Sequence, residues 1–261
     1  MSKFDSARIP TFSPGAEWYA NQVLSGVPFS FVRYGEGDLR AMCPYLPVKR
    51  AIWTAYPHAR EEFISTVVDM PRHPRYWPAI WHQGNLIKRK SMTTFKRWLV
   101  EVGLDNVGWH HGRVWRWMVD SDQTHLLVRA IRSQPLPVVV VGPERIAPAV
   151  EKLSATHIVT PFSGPLSPGV LGQSLPGILL EAIYLAMPRL REEMLVNSPA
   201  LYTISASAVG KMLIAQLFPV IGEESFMIDV GAMWDGLSSC PSRPHQRKFT
   251  PEKIELNWEG P

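Results

Sequence analysis

An arginine and two acids follow an apolar run near the start of the sequence. In FSFVRYGEGDLRAM, residues 29–42, the apolar start is typical of a buried strand, and Arg33, Glu36 and Asp38 come directly after it. Two carboxylates two positions apart offer hard oxygen ligands for Mg²⁺ or Mn²⁺, above all when a diphosphate completes the coordination shell. Arg33 would hold a phosphate or offset the acids. The stretch therefore predicts a metal and phosphate site at a strand exit.

The glycines of this stretch admit two interpretations. On a loop, Gly35 and Gly37 would allow a sharp turn and a close approach of the backbone to a ligand. In a helix, the same acids would occupy the first turn, where they interact favourably with the helix dipole, and Asp38 would act as a cap. The spacing alone fits both.

A second stretch, SASAVGK at 205–211, combines small residues with a lysine. Ser205 and Ser207 would open a helix after a strand, which leaves free backbone N–H groups for a phosphate, and Lys211 follows one turn later. It is not a Walker A loop, because Ser205 stands where that motif needs glycine and Met212 where it needs Ser or Thr. A P-loop kinase is therefore disfavoured. The structural alternative is a tight contact between helix and sheet.

Two further side chains are candidates for contacts with the sugar or its acceptor. Asp229 ends a strand in MIDVG, where a carboxylate can bind a ribose or sugar hydroxyl, or else cap a turn. His58 follows the acidic stretch at a distance that fits a shared cleft, and a histidine can deprotonate an acceptor hydroxyl. A surface position is the alternative for His58.

Aromatic and basic residues are interleaved at 108–119, and the stretch at 86–98 adds five more cations. Such a pattern can stack bases or sugars and contact phosphates, so it predicts an acceptor surface. A solvated helix face over core tryptophans is the alternative. The candidate acceptor-binding residues are Lys88, Arg89, Arg113, Trp115, Arg116 and Trp117.

The elements that must position these residues alternate between strand and helix. PVVVVG at 137–142, HIVTP at 157–161, ALYTIS at 200–205 and SFMIDVG at 225–231 indicate strands, with helices at 143–153, 174–195 (broken near Pro188) and 207–218. This order predicts an α/β, Rossmann-like, largely parallel sheet flanked by helices, after an irregular Trp-rich N-terminal part. We expect one domain over 1–261, with lobes at 1–136 for the acceptor and metal motif and at 137–261 for the nucleotide sugar.

Composition narrows the class of protein. The 261 residues are 46% hydrophobic, enough for a large core, and the net charge of +4 permits a polyanionic partner without requiring one. Two distant cysteines fit neither a disulfide framework nor a zinc knuckle. We see no secretion signal and no transmembrane segment, so we expect a cytoplasmic protein without membrane insertion, in the host cytoplasm if the chain is viral.

Three segments resemble one enzyme family. VRYGEGD is similar to the RFGDGE signature of the GT-D type glycosyltransferases, once known only as a domain of unknown function, although the two acids are swapped here. VVVVGP at 138–143 is similar to the central strand and turn of that family. YTISASAVGKMLIAQL with SFMIDVGAMWD resembles its late strand–helix–strand, which ends in an IDIG-like segment.

The resemblance implies a metal-assisted transfer of sugar from a nucleotide-diphosphate sugar, with a UDP-sugar as donor and Mn²⁺ or Mg²⁺ on Glu36 and Asp38. The resemblance allows a glycan or glycoprotein acceptor. The basic, Trp-rich front half of the chain instead favours nucleic acid, for instance a hydroxymethylated base in DNA that would be flipped out of the duplex. A non-catalytic nucleotide- or nucleic-acid-binding α/β module is the other alternative. Together with the residue chemistry above, this makes Glu36, Asp38 and His58 the candidate catalytic residues. The candidate nucleotide-sugar contacts are Arg33, Gly35, Gly37, Gly142, Ser205, Ser207, Lys211 and Asp229.

Overall fold

The structure, a computed structural model, describes residues 11–46, 57–80, 89–161, 182–242 and 244–260. Within these residues seven strands form one sheet in which every pairing is parallel. The spatial order is β3-β2-β1-β7-β6-β4-β5. The strands are β1 Ser30–Tyr34, β2 Tyr76–Ile80, β3 His110–His111, β4 Val138–Gly142, β5 Thr156–Val159, β6 Leu201–Ile204 and β7 Phe226–Asp229.

Helices connect the strands and cover both faces of the sheet, as parallel strands require. Two short 3-10 turns, Glu144–Ile146 and Pro244–Lys248, and a helical segment at 182–185 complete the described elements. The helices are α1 Ala16–Leu24, α2 Glu36–Met42, α3 Pro57–Val68, α4 Arg89–Glu101, α5 Val114–Asp120, α6 Thr124–Arg132, α7 Ala147–Lys152, α8 Met187–Val196, α9 Ser207–Ile221, α10 Met233–Leu237 and α11 Pro251–Glu259.

The strand residues alternate between two cores. In β1, Val32 and Tyr34 face one core, built with α2, α3, α4, α8 and α9. Phe31 faces the other, built with α1, α5, α6, α7, α10 and α11. Because both faces are buried, the strands read as nearly continuous apolar runs. The predicted strands from 137 onwards are confirmed within two residues of their bounds.

The predicted fold class is confirmed: the chain is α/β, with a sheet that is wholly parallel. Pro188 lies in the first turn of α8 and residue 186 is a turn, so the expected break is present. The part of that helix before residue 182 lies outside the described residues. One sheet contains strands from both predicted lobes, since β1 to β3 lie before residue 137 and β4 to β7 after it.

The chain places its central strands in an order that matters for the site. From β1 it proceeds outward to β2 and β3, crosses to β4 and β5 on the other side, and fills the gap with β6 and β7. All strands end at the same edge, and in such sheets ligands bind at the carboxyl ends of the strands near a change of direction. None of the helices in the described ranges has the length and apolar character needed to span a bilayer.

Candidate functional site

Four charged residues converge at the carboxyl ends of β1, β6 and β7. The ammonium of Lys211, on α9, lies 3.2 Å from Oδ2 of Asp229 and 3.6 Å from Oδ2 of Asp38, and it donates to the carbonyl of Ser207 at 2.9 Å. All three charged side chains are buried. The fourth member is Arg33, whose backbone N–H donates to Oδ2 of Asp229 at 3.2 Å. We call these four residues the charged cluster.

Lys211 is in this position because α9 packs its apolar side chains against the sheet. The helix is almost entirely buried along its first half, and Lys211 is the charged residue in that half. A buried ammonium needs partners, since removing a charge from water is expensive unless opposite charges and hydrogen bonds compensate. Asp38 and Asp229 are those partners.

Asp229 is held rigidly at the end of β7. Its Oδ1 accepts the N–H of Gly231 at 3.0 Å, and its own carbonyl accepts the indole N–H of Trp115 at 2.7 Å. Together with Arg33 and Lys211, these contacts engage both carboxylate oxygens. The carboxylate can therefore fix the relative position of β1, β7 and α9.

The acidic stretch lies on a helix rather than on a loop. α2 begins at Glu36, and Oδ2 of Asp38 accepts the N–H of Gly35 at 2.9 Å, so Asp38 closes the first turn of the helix. Gly35 has φ −86° and ψ 178°, which any residue adopts. Of the two interpretations that the spacing left open, the structure therefore has the helix, because capping by Asp38 turns the chain directly into α2.

Arg33 keeps hydrogen-bonding capacity for a ligand. Its guanidinium packs on Gly231, which has φ +58°; a Cβ at that position would lie only 1.7 Å from Nη2. Nε of Arg33 is buried with no hydrogen-bond partner, and no described residue forms an ion pair with this side chain. A buried donor without an acceptor needs an explanation, and a bound anion is one.

The turn between β6 and α9 is strained and tightly packed. Ser207 has φ +56°, an uncommon conformation for a residue with a Cβ, and such strain is frequent at functional sites. The hydroxyl of Ser205 donates to the carbonyl of Gly231 at 2.6 Å, which ties this turn to the one after β7. Gly142 ends β4 beside it: a Cβ there would lie 2.5 Å from Ile146 and 3.1 Å from Ser205.

Tyr34 is a neighbour that sequence reasoning missed. Burial raises the pKa of Tyr34 well above its ordinary value, Tyr76 raises it further, and the charges of Asp38 and Asp229 also contribute. The phenol is therefore neutral beneath the charged cluster. By its residue type, Tyr34 is an ordinary core residue. Only the alternation of side chains along β1, which places Tyr34 on the same face as Val32, could have indicated its position.

Several predicted site residues do not join the charged cluster. His58, in the first turn of α3, is 95% exposed, and its Nδ1 lies 3.6 Å from Oε2 of Glu61. Trp115 is 1% exposed, so its ring cannot stack on an acceptor. The prediction that Trp115 binds the acceptor was therefore wrong, because its indole N–H donates to the carbonyl of Asp229 instead. Arg116 pairs with Asp120 at 3.2 Å, and Arg113 is half-buried.

The remaining predictions concern Trp117 and the part of the chain that is not described. Trp117 is 38% exposed, and its indole stacks on the ring of His111 at 4.2 Å. Lys88 lies outside the described residues, as do the side chains of Glu36 and Arg89 and the surroundings of Gly37. A role for these four remains a prediction.

A second buried ion pair lies at the same edge, after β4. The guanidinium of Arg145 makes two contacts of 3.2 Å with the carboxylate of Asp235 on α10. The hydroxyl of Ser242 donates to the same carboxylate. Gln246 accepts the N–H of Ser242 at 3.0 Å and donates to the carbonyl of Ala232 at 2.6 Å. The basic segment at 240–249 is thus fastened to α10.

The carboxylate oxygens at the start of α2 are of the type that binds a divalent cation. Among the described residues, no group of three or more His, Cys, Asp or Glu side chains is close enough to hold a metal ion. Asp38 offers the hard oxygens that Mg²⁺ and Mn²⁺ prefer, and Mg²⁺ in particular is usually bound by one or two carboxylates plus substrate phosphates. A cation here would therefore depend on a phosphate ligand as well as on the protein.

Comparison of the sequence with protein-family models and with curated proteins finds no match. Solved structures do match. A structure described as the highly conserved domain of unknown function 1792 with a distinct glycosyltransferase fold has a TM-score of 0.59 and 11% identity, and the match covers 98% of each chain. A glycosyltransferase of that domain type from Streptococcus sanguinis has a TM-score of 0.54 and 12% identity, covering 86% of this chain and 82% of that one.

A third structure of the same domain, with selenomethionine, has a TM-score of 0.56 and 11% identity, covering 89% of this chain and 83% of the other. At such identity the likeness concerns the fold. The chain therefore has the glycosyltransferase fold of these proteins, as the resemblance of its short motifs implied.

Proposed function

We propose that the protein is a glycosyltransferase that moves a sugar from a nucleotide-diphosphate sugar, with UDP-sugars as the expected donors, to an acceptor hydroxyl. The observation that carries the proposal is the guanidinium of Arg33, which packs on Gly231 next to the end of β7 and has a buried Nε that no described residue satisfies. The glycosyltransferase fold of the similar structures supports the same reaction class.

The charges favour a diphosphate together with a cation. Formally, Asp38 and Asp229 balance Lys211 and Arg33, so these four side chains carry no net charge. Since Lys211 is already engaged by both carboxylates, Arg33 is the cation of the four that can bind the diphosphate directly. The positively polarised N-terminus of α9 contributes on the same side.

A divalent cation would be held by Asp38 and Glu36 at the start of α2, as the sequence predicts. When bound, Mn²⁺ or Mg²⁺ would neutralise negative charge on the leaving diphosphate. The role of Lys211 is then to hold Asp38 and Asp229 in place, rather than to bind the donor itself.

The reaction forms one bond and breaks one. The oxygen of the acceptor hydroxyl bonds to the anomeric carbon of the donor sugar, and the bond from that carbon to the diphosphate oxygen breaks, with its electron pair leaving on the nucleoside diphosphate. The hydroxyl proton passes to a carboxylate oxygen of Glu36 or Asp38 that does not bind the cation. His58 is a weaker candidate for this base, because it contacts none of the other members of the site.

We propose a sugar hydroxyl of a glycan or glycoprotein as the acceptor. A DNA acceptor would need aromatic rings for stacking and free cations for phosphates. Among the described candidates, Trp115 is buried and Arg116 is paired with Asp120, which weakens that alternative.

A thermal-shift screen tests the proposal. Nucleotide sugars, beginning with UDP-glucose, would be added with Mn²⁺ or with EDTA, and release of UDP would be measured in parallel. At 100 times its Kd, a donor should raise the Tm by roughly 5–10 °C. Stabilisation without any release of UDP over long incubation would favour the non-catalytic binding module, and no stabilisation by any donor would overturn the proposal.

A further inference from the structure

A small pocket opens between the start of α1 and the start of α5. Its volume is about 260 Å³. The floor is apolar, formed by the buried side chains of Ala16, Val114 and Met118. Trp117 forms one wall, and the exposed residues Ser13 and Gln123 form the rim. Pockets for drug-sized ligands begin at about 300 Å³, so this one suits a single ring.

Every residue that lines the pocket is uncharged. The neighbouring cation Arg116 is not among them, and its Nε is bonded to Asp120. Nucleic acids and other phosphate ligands are recognised chiefly by Lys and Arg, so the lining favours a neutral ligand.

The arrangement of apolar and polar groups fits the two kinds of surface on a sugar ring. His111 stacks on one face of the Trp117 indole, and 38% of the tryptophan remains exposed, so aromatic surface is available for the C–H face of a pyranose. The Ser121 hydroxyl donates to the carbonyl of Trp117 at 2.6 Å and lies 3.3 Å from Oε1 of Gln123, while Nε2 of Gln123 donates to no described residue. That N–H and the Ser13 hydroxyl can bond to sugar hydroxyls.

The pocket lies at the edge of the sheet where the charged cluster lies. Phe12 forms a parallel β-bridge with His110 of β3. The next residue, Ser13, therefore lies at the carboxyl end of β3. Tyr34, Ile80 and His111 are in register across β1, β2 and β3. At about 4.8 Å per strand, His111 and Tyr34 are about 10 Å apart. A ligand longer than one sugar can span this distance.

We propose that this pocket is an acceptor subsite that binds a neutral pyranose ring, one residue removed from the sugar whose hydroxyl reacts. This inference rests on the proposed function, because it assigns the acceptor of the proposed sugar transfer. It identifies the acceptor as an uncharged glycan, and Trp117 as the residue that binds it by stacking.

Saturation-transfer NMR with methyl glycosides tests the subsite without a donor. The probes are the methyl pyranosides of glucose, galactose, rhamnose and N-acetylglucosamine, titrated into the wild type, Trp117→Ala, Trp117→Phe and Gln123→Ala. At least one probe should bind the wild type, and Trp117→Ala should weaken it by at least about fivefold, the usual effect of removing a central aromatic contact. Trp117→Phe should retain most of the binding.

Tyr45→Ala is the matched control, because Tyr45 is an exposed aromatic residue outside the pocket. It should leave glycoside binding and UDP-glucose binding unchanged. Gln123→Ala removes only an exposed side chain, so it tests the pocket even if Trp117→Ala proves unstable.

The outcomes separate this inference from the proposed function. Donor stabilisation with no glycoside binding would overturn the subsite alone. Glycoside binding that depends on Trp117, in a protein that no nucleotide sugar stabilises, would confirm a sugar pocket and overturn the transferase. If Trp117→Ala instead weakens the binding of UDP-glucose, the pocket binds the donor. If only duplex DNA with 5-hydroxymethylcytosine binds in a Trp117-dependent way, the acceptor is nucleic acid. Either of the last two results would overturn the subsite.

Discussion

The charged cluster and the Arg145–Asp235 pair are both buried ion networks at the carboxyl edge of the sheet, yet they differ in what remains unsatisfied. Around Asp235, the arginine, Ser242 and Gln246 exchange a closed set of hydrogen bonds. Around Asp229, the network includes a strained Ser207 and an arginine with a buried donor that has no described acceptor. A closed network stabilises the fold, whereas unsatisfied donors and strain are typical of a site that awaits a ligand.

The largest expected effect comes from Lys211→Met. It would leave two carboxylates buried near each other without their shared cation, and loss of one partner from a buried ion pair usually lowers the free energy of unfolding by about 3–5 kcal/mol. Urea denaturation followed by tryptophan fluorescence measures this. The double variant Lys211→Met/Asp229→Asn should regain part of the loss, and an unchanged free energy for the single variant would contradict the role of Lys211.

Asp235→Ala should have the next largest effect, and only on stability. It removes the acceptor of two hydrogen bonds from Arg145 and one from Ser242, so we expect the free energy of unfolding in urea to fall by about 1.5–3 kcal/mol, with the Kd for UDP-glucose unchanged. The exposed pair Arg116–Asp120 provides the control, because Arg116→Ala should lower stability by no more than about 1 kcal/mol. Weaker binding of UDP-glucose by Asp235→Ala would remove the distinction between the two networks.

Arg33→Gln should show the opposite pattern. Its guanidinium has no ion-pair partner among the described residues, so the free energy of unfolding should change by less than about 1 kcal/mol. Binding of UDP-glucose, measured by calorimetry, should weaken at least about tenfold, since a hydrogen bond to a charged group contributes about 1.5–3 kcal/mol. Arg189→Gln, at an exposed position on α8 where the arginine pairs with Glu193, should lower the free energy of unfolding by no more than about 1 kcal/mol and leave the Kd unchanged. Loss of stability with intact binding would make Arg33 structural.

Ser207→Gly should give the smallest change. Glycine relieves roughly 1–2 kcal/mol of strain at φ +56°, but it adds about 0.5–1 kcal/mol of backbone entropy to the unfolded chain. The net result should be a gain of about 0.5 kcal/mol in urea. Ser207→Ala retains the Cβ and should give no gain. A lower stability for the glycine variant would show that the turn is not strained.

The strands were predictable because each is an apolar run that ends at a polar or small residue, as in VVVVG before Pro143. The start of α2 was harder, because Glu36 and Asp38 suit a loop and a helix equally until the contact between Asp38 and Gly35 is known. Lys211 carried a usable signal, since a lone charge in an apolar helix predicts a buried partner, but the partners lie on other elements. Trp115 and Trp117 are two positions apart and differ only in the face of α5 that they occupy.

The parallel arrangement of β1 beside β7 has a consequence for synthesis on the ribosome. Arg33 and Asp229 are 196 positions apart, and β1 pairs with β2 on one side and β7 on the other. The chain leaves the ribosome with its N-terminus first, so one edge of β1 remains unpaired until β7 has been translated. An exposed strand edge can pair with other chains, so we expect the nascent protein to be most prone to aggregation before β7 emerges.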